Sequence, residues 1–490
     1  MSQSRLNVFE GLRQATRVIL PLLLGCVALS NGVRAQQAPN ILFLFADDQC
    51  YETIRAFGHT DIETPNLDRL AKRGMTFTHC YNMGSYSGAV CVASRTMLNT
   101  GRFLWHAQRL HKKSEQERIA GRFWSEYLKK AGYETYMSGK WHVRAKATLA
   151  FDHTAHIRGG MPRQTPAGYN RPIDGKEDPW SPYDPKFGGF WAGGKHWSEV
   201  LADDAEGFLE DAAKRDKPFF MYLAFNAVHD PRQAPKSYID KYPLDRIELP
   251  KNFLAEYPFK DDMGCSAGLR DERLAPFPRT ERAIKVNRQE YYAIVTHMDA
   301  QIGRILDALE RTGKADNTWI FFTADHGLGV GHHGLLGKQN LYDHSVRVPF
   351  LVSGPGVKPG TRSTTPIYMQ DVMPTTLELA KVDKPQHVQF HSLLPLIRSP
   401  DETRGSYDAV YGGYLALQRS VVMDGHKLIL YPKIRRARLY DLRADPEEME
   451  DLAGRPKSRP IIKRLFAKLL ELQPATGDEL DLTKEFNDLR

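Results

Sequence analysis

The chain has 490 residues, 41% hydrophobic and 26% charged, the balance of an ordinary soluble globular protein. That balance excludes disorder, collagen and coiled coil as descriptions of the whole, and a single short apolar stretch excludes a polytopic membrane protein. Net charge is +8, and residues 1–35 hold Arg5, Arg13, Arg17 and Arg34 against Glu10. The mild excess left over demands no nucleic acid and suits an anionic substrate.

Taken from the N-terminus, three arginines precede the apolar run Val18–Ser30, and Val33-Arg34-Ala35 follows with small residues placed for cleavage. Residues 1–35 therefore read as an export signal peptide, and a run this short does not reach the roughly 20 apolar residues of a membrane span. Leu23-Leu24-Gly25-Cys26 offers a second reading, a lipoprotein box with Cys26 lipidated, but Leu24 is untypical there and apolar residues continue past Cys26. Cleavage after Ala35 is preferred, and the mature protein is expected to be periplasmic or secreted. Removing Cys26 leaves Cys50, Cys80, Cys91 and Cys265, an even count that suggests two disulfides in an oxidising compartment. No C-x-x-C pair exists, so a zinc knuckle or thioredoxin-like site is not expected.

The first core element is Asn40–Ala46, an unbroken apolar run of the kind buried on both faces of a parallel sheet. Similar strands are expected at Tyr133–Ser138, Pro218–Phe225, Thr318–Thr323 and Val348–Val352. Between them lie helical patterns at Asn66–Gly74, Glu290–Thr312 and Met373–Ala380, the last with Pro374 tolerated in a first turn. This alternation predicts a three-layer α/β core. Residues 152–190 and 230–285, rich in Gly, Pro and charge, interrupt it as long functional loops. After about residue 385 short strands recur at Val410–Tyr414, Arg419–Met423, His426–Tyr431 and Arg438–Leu442, then a helix at Pro460–Leu472. They predict a smaller antiparallel C-terminal subdomain, giving residues 36–385 and 386–490 as two parts of the mature chain.

Chemistry concentrates at strand ends. Asp47-Asp48 follows the first strand, and two adjacent carboxylates repel unless a cation or donors compensate them. Asp325-His326-Gly327 follows the strand at Thr318–Thr323. Two parallel strands carrying these residues to one edge would form a compact site for a divalent metal, with oxygen ligands favouring calcium or magnesium and the His326 nitrogen a softer ion. Cys91 precedes a helical pattern, where the dipole and backbone N–H groups suit an anion and would leave a plain thiol acidic and nucleophilic.

The segment Cys91-Val92-Ala93-Ser94-Arg95-Thr96-Met97-Leu98-Asn99-Thr100-Gly101 resembles the signature of the sulfatase family. Ala46-Asp47-Asp48, Gly139-Lys140-Trp141-His142, His229 before Pro231, Asp325-His326-Gly327 and Gly337-Lys338 follow in the family's order. The resemblance runs from Asn40 through Pro349, with weaker similarity at Tyr440–Leu452. It implies an alkaline-phosphatase-like core with a mixed, mostly parallel sheet. It also implies that Cys91 is converted by a formylglycine-generating enzyme to Cα-formylglycine (3-oxoalanine), whose hydrate attacks sulfur and later expels sulfate by elimination. The ligands of one calcium ion per subunit, or magnesium, would be Asp47, Asp48, residue 91, Asp325 and His326. Arg95, Lys140, His142, His229 and Lys338 would complete the catalytic set, with Lys140 a donor and His142 a proton acceptor at the hydrated aldehyde, His229 near the leaving oxygen and Lys338 on the sulfate. Three positions depart from the pattern: Ala93 stands where Pro is frequent, Asn99 where Leu is usual, and His326 where Asn often supplies an oxygen.

The expected function is therefore removal of sulfate from a sulfated carbohydrate by an exported hydrolase, without nucleic acid and with no oligomeric state readable. Phe187-Gly188-Gly189-Phe190-Trp191 and Trp197 are candidate sugar-stacking residues, and His332 and His333 candidate pocket residues. A phosphonate or phosphate monoester hydrolase of the same superfamily and a catalytically silent sulfated-glycan binder are the alternatives.

Overall fold

The chain was described by a computed structural model, which covers residues 38–489 apart from 59–60, 163–164 and 401–404. The expected signal peptide and Cys26 lie outside these residues. Among the described residues no helix is long and apolar enough to cross a membrane.

In chain order the principal elements are β1 (Asn40–Ala46), α1 (Pro65–Arg73), β2 (Met75–Phe77), α2 (Val90–Thr100), β3 (Glu134–Lys140), β4 (His153–Arg158) and α3 (Trp197–Ala213). There follow β5 (Phe219–Ala224), α4 (Glu281–Arg311), β6 (Thr318–Ala324), β7 (Phe350–Ser353) and β8 (Thr361–Ser363). The C-terminal part adds β9 (Val410–Tyr414), β10 (Gln418–Met423), β11 (His426–Tyr431), β12 (Arg436–Asp441) and α5 (Arg459–Thr476).

Eight strands form one sheet in the order β8-β2-β7-β6-β1-β5-β3-β4. β6, β1, β5, β3 and β4 run parallel, and β7 lies antiparallel to both β6 and β2. Every residue of β1 is buried. Phe43 and Phe45 turn to one face, where Trp124 packs edge-on to Phe43 and donates through Nε1 to Thr376 Oγ1 at 2.7 Å. Leu42 and Leu44 are equally buried on the other face, the side of the packed helices α1, α3 and α4. Covering both faces is what turned the first strand into a continuous apolar run.

Two departures from the expected elements have local causes. The long helix begins at Glu281, two turns and more before the apolar stripe suggested, because the Thr280 side chain accepts from Ala283 N at 3.2 Å and caps it there. Its added turns bury polar residues, Asn287 and Arg288, which hide the helical period. The run Val348–Val352 is broken by Pro349: Arg347–Val348 pairs with Cys80–Tyr81 in a separate small sheet, and only β7 joins the main one.

The disulfide expectation is overturned. Cys50, Cys80, Cys91 and Cys265 are all free and buried, Cys50 donating to Leu328 O at 3.0 Å and Cys265 to Gln339 O at 3.3 Å.

The second sheet has the order β12-β11-β10-β9, antiparallel throughout, and is extended at β9 by Gly84–Ser85, which pair parallel with Gly413–Tyr414. Backbone bonds fix that junction: Gly413 N donates to Met83 O at 3.0 Å and Leu415 N to Ser85 O at 3.0 Å. A Cβ on Gly84 would lie 2.1 Å from Gly413 O, so only glycine permits the approach. The stretch just before Cys91 is thus a strand of the C-terminal sheet.

Candidate active site

Parallel strands point their carboxyl ends to one edge of the sheet, and the expected residues gather there. β1 leads into Asp47-Asp48, β3 ends in Lys140, β5 leads to His229 and β6 to Asp325-His326. Lys140 ends the strand just past a bulge at Ser138–Gly139: Gly139 has φ +92°, and a Cβ on it would sit 1.9 Å from Ala224 O. Asp48 and His142 are held at φ 63° and 53°, left-handed conformations that carry strain in non-glycine residues.

Cys91 stands inside the first turn of α2, not before it, 3% exposed. Its Sγ lies 3.2 Å from Asp47 Oδ1 and 3.7 Å from Asp48 Oδ1, with Lys338 Nζ at 3.3 Å. Lys338 also pairs with Asp48, and Lys140 with Asp47. Arg95, one turn on, is fully buried: Nε donates to Asp325 Oδ2 at 2.9 Å, Nη1 to Lys140 O at 2.6 Å and Nη2 to Asp47 Oδ2 at 3.3 Å. Asp325 Oδ1 accepts from Asp48 N at 3.1 Å. Gly101 ends α2 in the left-handed region at φ 67°, donating to Met97 O at 2.8 Å. The Thr-Gly ending of the motif is therefore a helix cap, which fixes the far end of the segment that carries Cys91 and Arg95.

The donors of Asp47, Asp48, Cys91 and His229 lie within 4.8 Å of one another, and this is the group of potential metal donors found among the described residues. Asp325 joins it through Arg95 and Asp48 N. His326 lies outside that group; its Nδ1 faces Gly327 O at 3.1 Å, so this nitrogen carries the proton and Nε2 keeps its lone pair. Burial pushes His326 down to about 4.

The electrostatics separate the two neighbouring acids. Burial alone would raise both, but Lys140, Arg95, His229 and Lys338 hold Asp47 well below the carboxylate range. Asp48 is pushed up to about 6 by burial, only partly offset by Lys338 and His229 and reinforced by Asp47 and Asp325. Its charged form is short of compensating positive charge, and three carboxylates with an imidazole lone pair make a donor set that fits a hard divalent cation. The thiol expectation is corrected here: burial, with Asp325 and Asp47 adding to it, raises Cys91 well above the ordinary thiol range despite Lys140 and Lys338. The unmodified side chain is a poor nucleophile, because burial and the neighbouring carboxylates outweigh its helix start. Burial, with Lys140 and Arg95, pushes His142 down to about 3, leaving a neutral imidazole.

Other residues escaped the sequence reading. Asp230 accepts from His229 Nδ1 at 3.0 Å, fixing the ring so that Nε2 faces Asp48 Oδ2 at 3.5 Å, and Arg270 pairs with Asp230 behind it. Its signal was adjacency to His229. Asn82, which no pattern marked, donates to Ser94 Oγ at 2.8 Å and to Asp325 O at 2.7 Å, tying α2 to the end of β6. Of the suggested sugar-stacking residues, Phe190 is wholly buried and Trp197 is covered by the Arg158 guanidinium 3.6 Å above its ring. Both are packing residues. His332 and His333 lie apart from Cys91, His332 bonding Glu52 at 2.8 Å and Asn252 at 2.9 Å.

Residues 39–382 match the sulfatase family, and residues 331–475 match the family described as N-sulphoglucosamine sulphohydrolase, C-terminal. A curated N-acetylglucosamine-6-O-sulfatase of Bacteroides thetaiotaomicron is 27% identical over 94% of this chain and 91% of its own length. A structure solved in complex with its substrate D-glucosamine-2-N,6-O-disulfate superposes with a TM-score of 0.72 at 25% identity, covering 90% of this chain and 99% of that one. A phosphonate monoester hydrolase of Agrobacterium radiobacter shares the fold, with a TM-score of 0.70 at 20% identity and coverage of 89% and 96%.

Proposed function

The chain belongs to the sulfatase family and is a sulfuric ester hydrolase, and from that premise we propose that it is an exported enzyme removing sulfate from a sulfated carbohydrate. The observation that carries this reading is the convergence of three strand-end carboxylates and the cationic groups Arg95, Lys140 and Lys338 on residue 91. A site so rich in buried positive charge suits an anion whose charge grows during transfer.

In this reading Cys91 is oxidised to Cα-formylglycine by a formylglycine-generating enzyme, and the modified residue, once hydrated, supplies an oxygen nucleophile. Asp47, Asp48, Asp325, His326 and residue 91 would hold one calcium ion, or magnesium, which polarises a sulfate oxygen when bound. His142, neutral across the working range, accepts the proton of the attacking hydroxyl, and Lys140 donates to the same residue. Lys338 holds a sulfate oxygen. His229, oriented by Asp230, presents Nε2 to the leaving oxygen. Arg95 holds Asp47 in its charged form and, bonding both, keeps Asp47 and Asp325 apart. Residues 36–385 carry this machinery, with 386–490 as the C-terminal subdomain and residues 1–35 as the signal for export.

The test is peptide mass spectrometry of residue 91 together with turnover of sulfated sugars, 4-nitrophenyl sulfate and phenyl phosphonate. An aldehyde at residue 91 and preferred turnover of a sulfated sugar are expected, with Cys91→Ala inactive but folded. Preferred turnover of phenyl phosphonate would move the enzyme to the phosphonate hydrolases. An unmodified thiol in protein that binds sulfated glycan without turnover would make it a binder.

A further inference from the structure

Lys338, the cation read as holding the sulfate, stands in residues 335–340, a stretch outside every helix and strand. Its side chain is a flexible stem, so where the ammonium sits depends on what fixes the backbone beneath it. No sheet ladder does so. Glu272 instead accepts from Leu336 N at 3.0 Å and from Gly337 N at 2.9 Å, and is itself held by Arg279 at 2.5 Å, with neither side chain exposed. The next N–H, that of Lys338, donates to Gln339 Oε1 at 2.9 Å. A Cβ on Gly337 would lie 2.6 Å from Gln339 Oε1 and 2.9 Å from Glu272 Oε1, so both groups close on the backbone there.

Gln339 is buried, and both polar atoms of its amide are engaged. Lys338 N can only donate, which fixes the end of the amide that faces it as oxygen. Nε2 then donates to Asp271 Oδ2 at 2.8 Å and to Gly88 O at 3.1 Å. The Gln339 carbonyl accepts from Gln418 Nε2 of β10 at 2.9 Å. Asp271 is buried too, and its other oxygen accepts from Arg270 Nη1 at 2.8 Å. Gly88 lies three residues before Cys91. One amide therefore ties the backbone that carries Lys338 to the segment that leads into Cys91. Those two side chains meet at 3.3 Å, Nζ to Sγ.

We propose that Gln339, backed by Asp271, is a positioning residue that sets where the Lys338 ammonium stands over residue 91. The inference rests on the reading of Lys338 as the cation on the sulfate, and adds to it two residues that act through Lys338. Charge on the transferred group grows during the reaction, so a displaced ammonium costs the transition state more than the bound ester. Gln339 and Asp271 therefore act on kcat more than on KM.

The experiment uses full-length, formylglycine-bearing enzyme and 4-nitrophenyl sulfate, each rate divided by the modified fraction found by mass spectrometry. Gln339→Leu removes the amide, and Gln339→Glu sets a carboxylate against Asp271 and the Gly88 carbonyl. Each should lower kcat roughly 10–100-fold, with KM within about threefold of wild type. Gln339→Glu/Asp271→Asn keeps the net charge of wild type and reverses the hydrogen bond, since the new amide at 271 donates to the new carboxylate while its oxygen still faces Arg270. That swap should recover kcat to within about fivefold of wild type. Adding Gln339→Leu to Lys338→Ala should cost less than about threefold beyond Lys338→Ala, because residues acting through one group are not additive. Should Gln339→Leu fail to fold, the comparison of Gln339→Glu with the swap decides. An unchanged kcat in folded Gln339→Leu, a loss confined to KM, a swap as slow as Gln339→Glu, or losses that multiply in the Lys338→Ala background would each overturn the positioning role. Modified wild type that turns over phenyl phosphonate but no sulfate ester would instead sink the sulfate reading, and the same kinetics would then be taken on phenyl phosphonate.

Discussion

Arg95 reaches Asp325, Asp47 and the Lys140 carbonyl from a position with no solvent exposure, so its loss leaves two buried carboxylates facing each other. Arg95→Met should lower stability by about 3–5 kcal/mol, the cost of stranding one side of a buried pair. Urea unfolding that shows a loss under about 1 kcal/mol would refute that role. Asp230 acts at one remove. Asp230→Asn takes the charged acceptor from His229 Nδ1 while preserving shape, and kcat/KM on 4-nitrophenyl sulfate should fall roughly 10–100-fold with little change in Tm. Unchanged kinetics would mean that the ring is oriented by the Asp230 carbonyl alone, 2.8 Å from the same nitrogen. These two residues also mark how far the sequence could be read. Arg95 was visible because it lies in a run of eleven residues whose pattern is specific. Asp230 carried only its place beside a histidine, and Asn82 nothing, since the Arg270 that backs Asp230 and the Asp325 carbonyl that Asn82 bonds lie far away in the chain.

At the scale of elements, the helix that positions Cys91 depends on its last turn. Gly101→Ala would force a Cβ to within 2.9 Å of Val388 in a left-handed conformation, so a loss of about 1–2 kcal/mol is expected by urea unfolding. A neutral result would show that the turn can rewind. The start of the helix Val372–Leu379 gives a pH test. Asp371 is buried beneath it, accepting from Tyr368 N and His391 N at 2.9 Å each and from Tyr407 Oη at 2.6 Å. Burial outweighs these donors and pushes it up to about 7. An unfolded Asp titrates near 3.9, so between about pH 4 and 7 the folded chain holds a proton that the unfolded chain releases. This group's contribution is complete below pH 4 and is lost as pH rises through 7. Asp371→Asn should therefore narrow the difference in Tm between pH 5.5 and pH 8, and an unaltered difference would exclude the group. Strands were legible because burial on both faces writes itself as an apolar run; the first turns of α4 were not, because they bury Asn287 and Arg288, which also bond Arg232 and Val330 on other segments.

For the molecule as a whole, a cation held by the strand-end acids would couple catalysis to stability. Chelation should lower activity and Tm together, and calcium at a hundred times its Kd should restore about 2.7 kcal/mol. Asp325→Ala should lose bound metal and activity while remaining folded, and chelated protein with full activity and an unmoved Tm would refute the metal role. The architecture was legible to the extent that each segment spoke for itself. What could not be read was the pairing of Gly84–Ser85 with β9, because two residues have no period and their partner lies more than three hundred positions away. That pairing sets an order of events during synthesis. Until β9 has left the ribosome, the segment leading to Cys91 lacks the neighbour that seats it, and the burial that leaves the thiol 3% exposed in the finished fold is incomplete. The late strand thus acts as a latch, and a chain cut before residue 410 would lack the partner that seats the segment leading to Cys91.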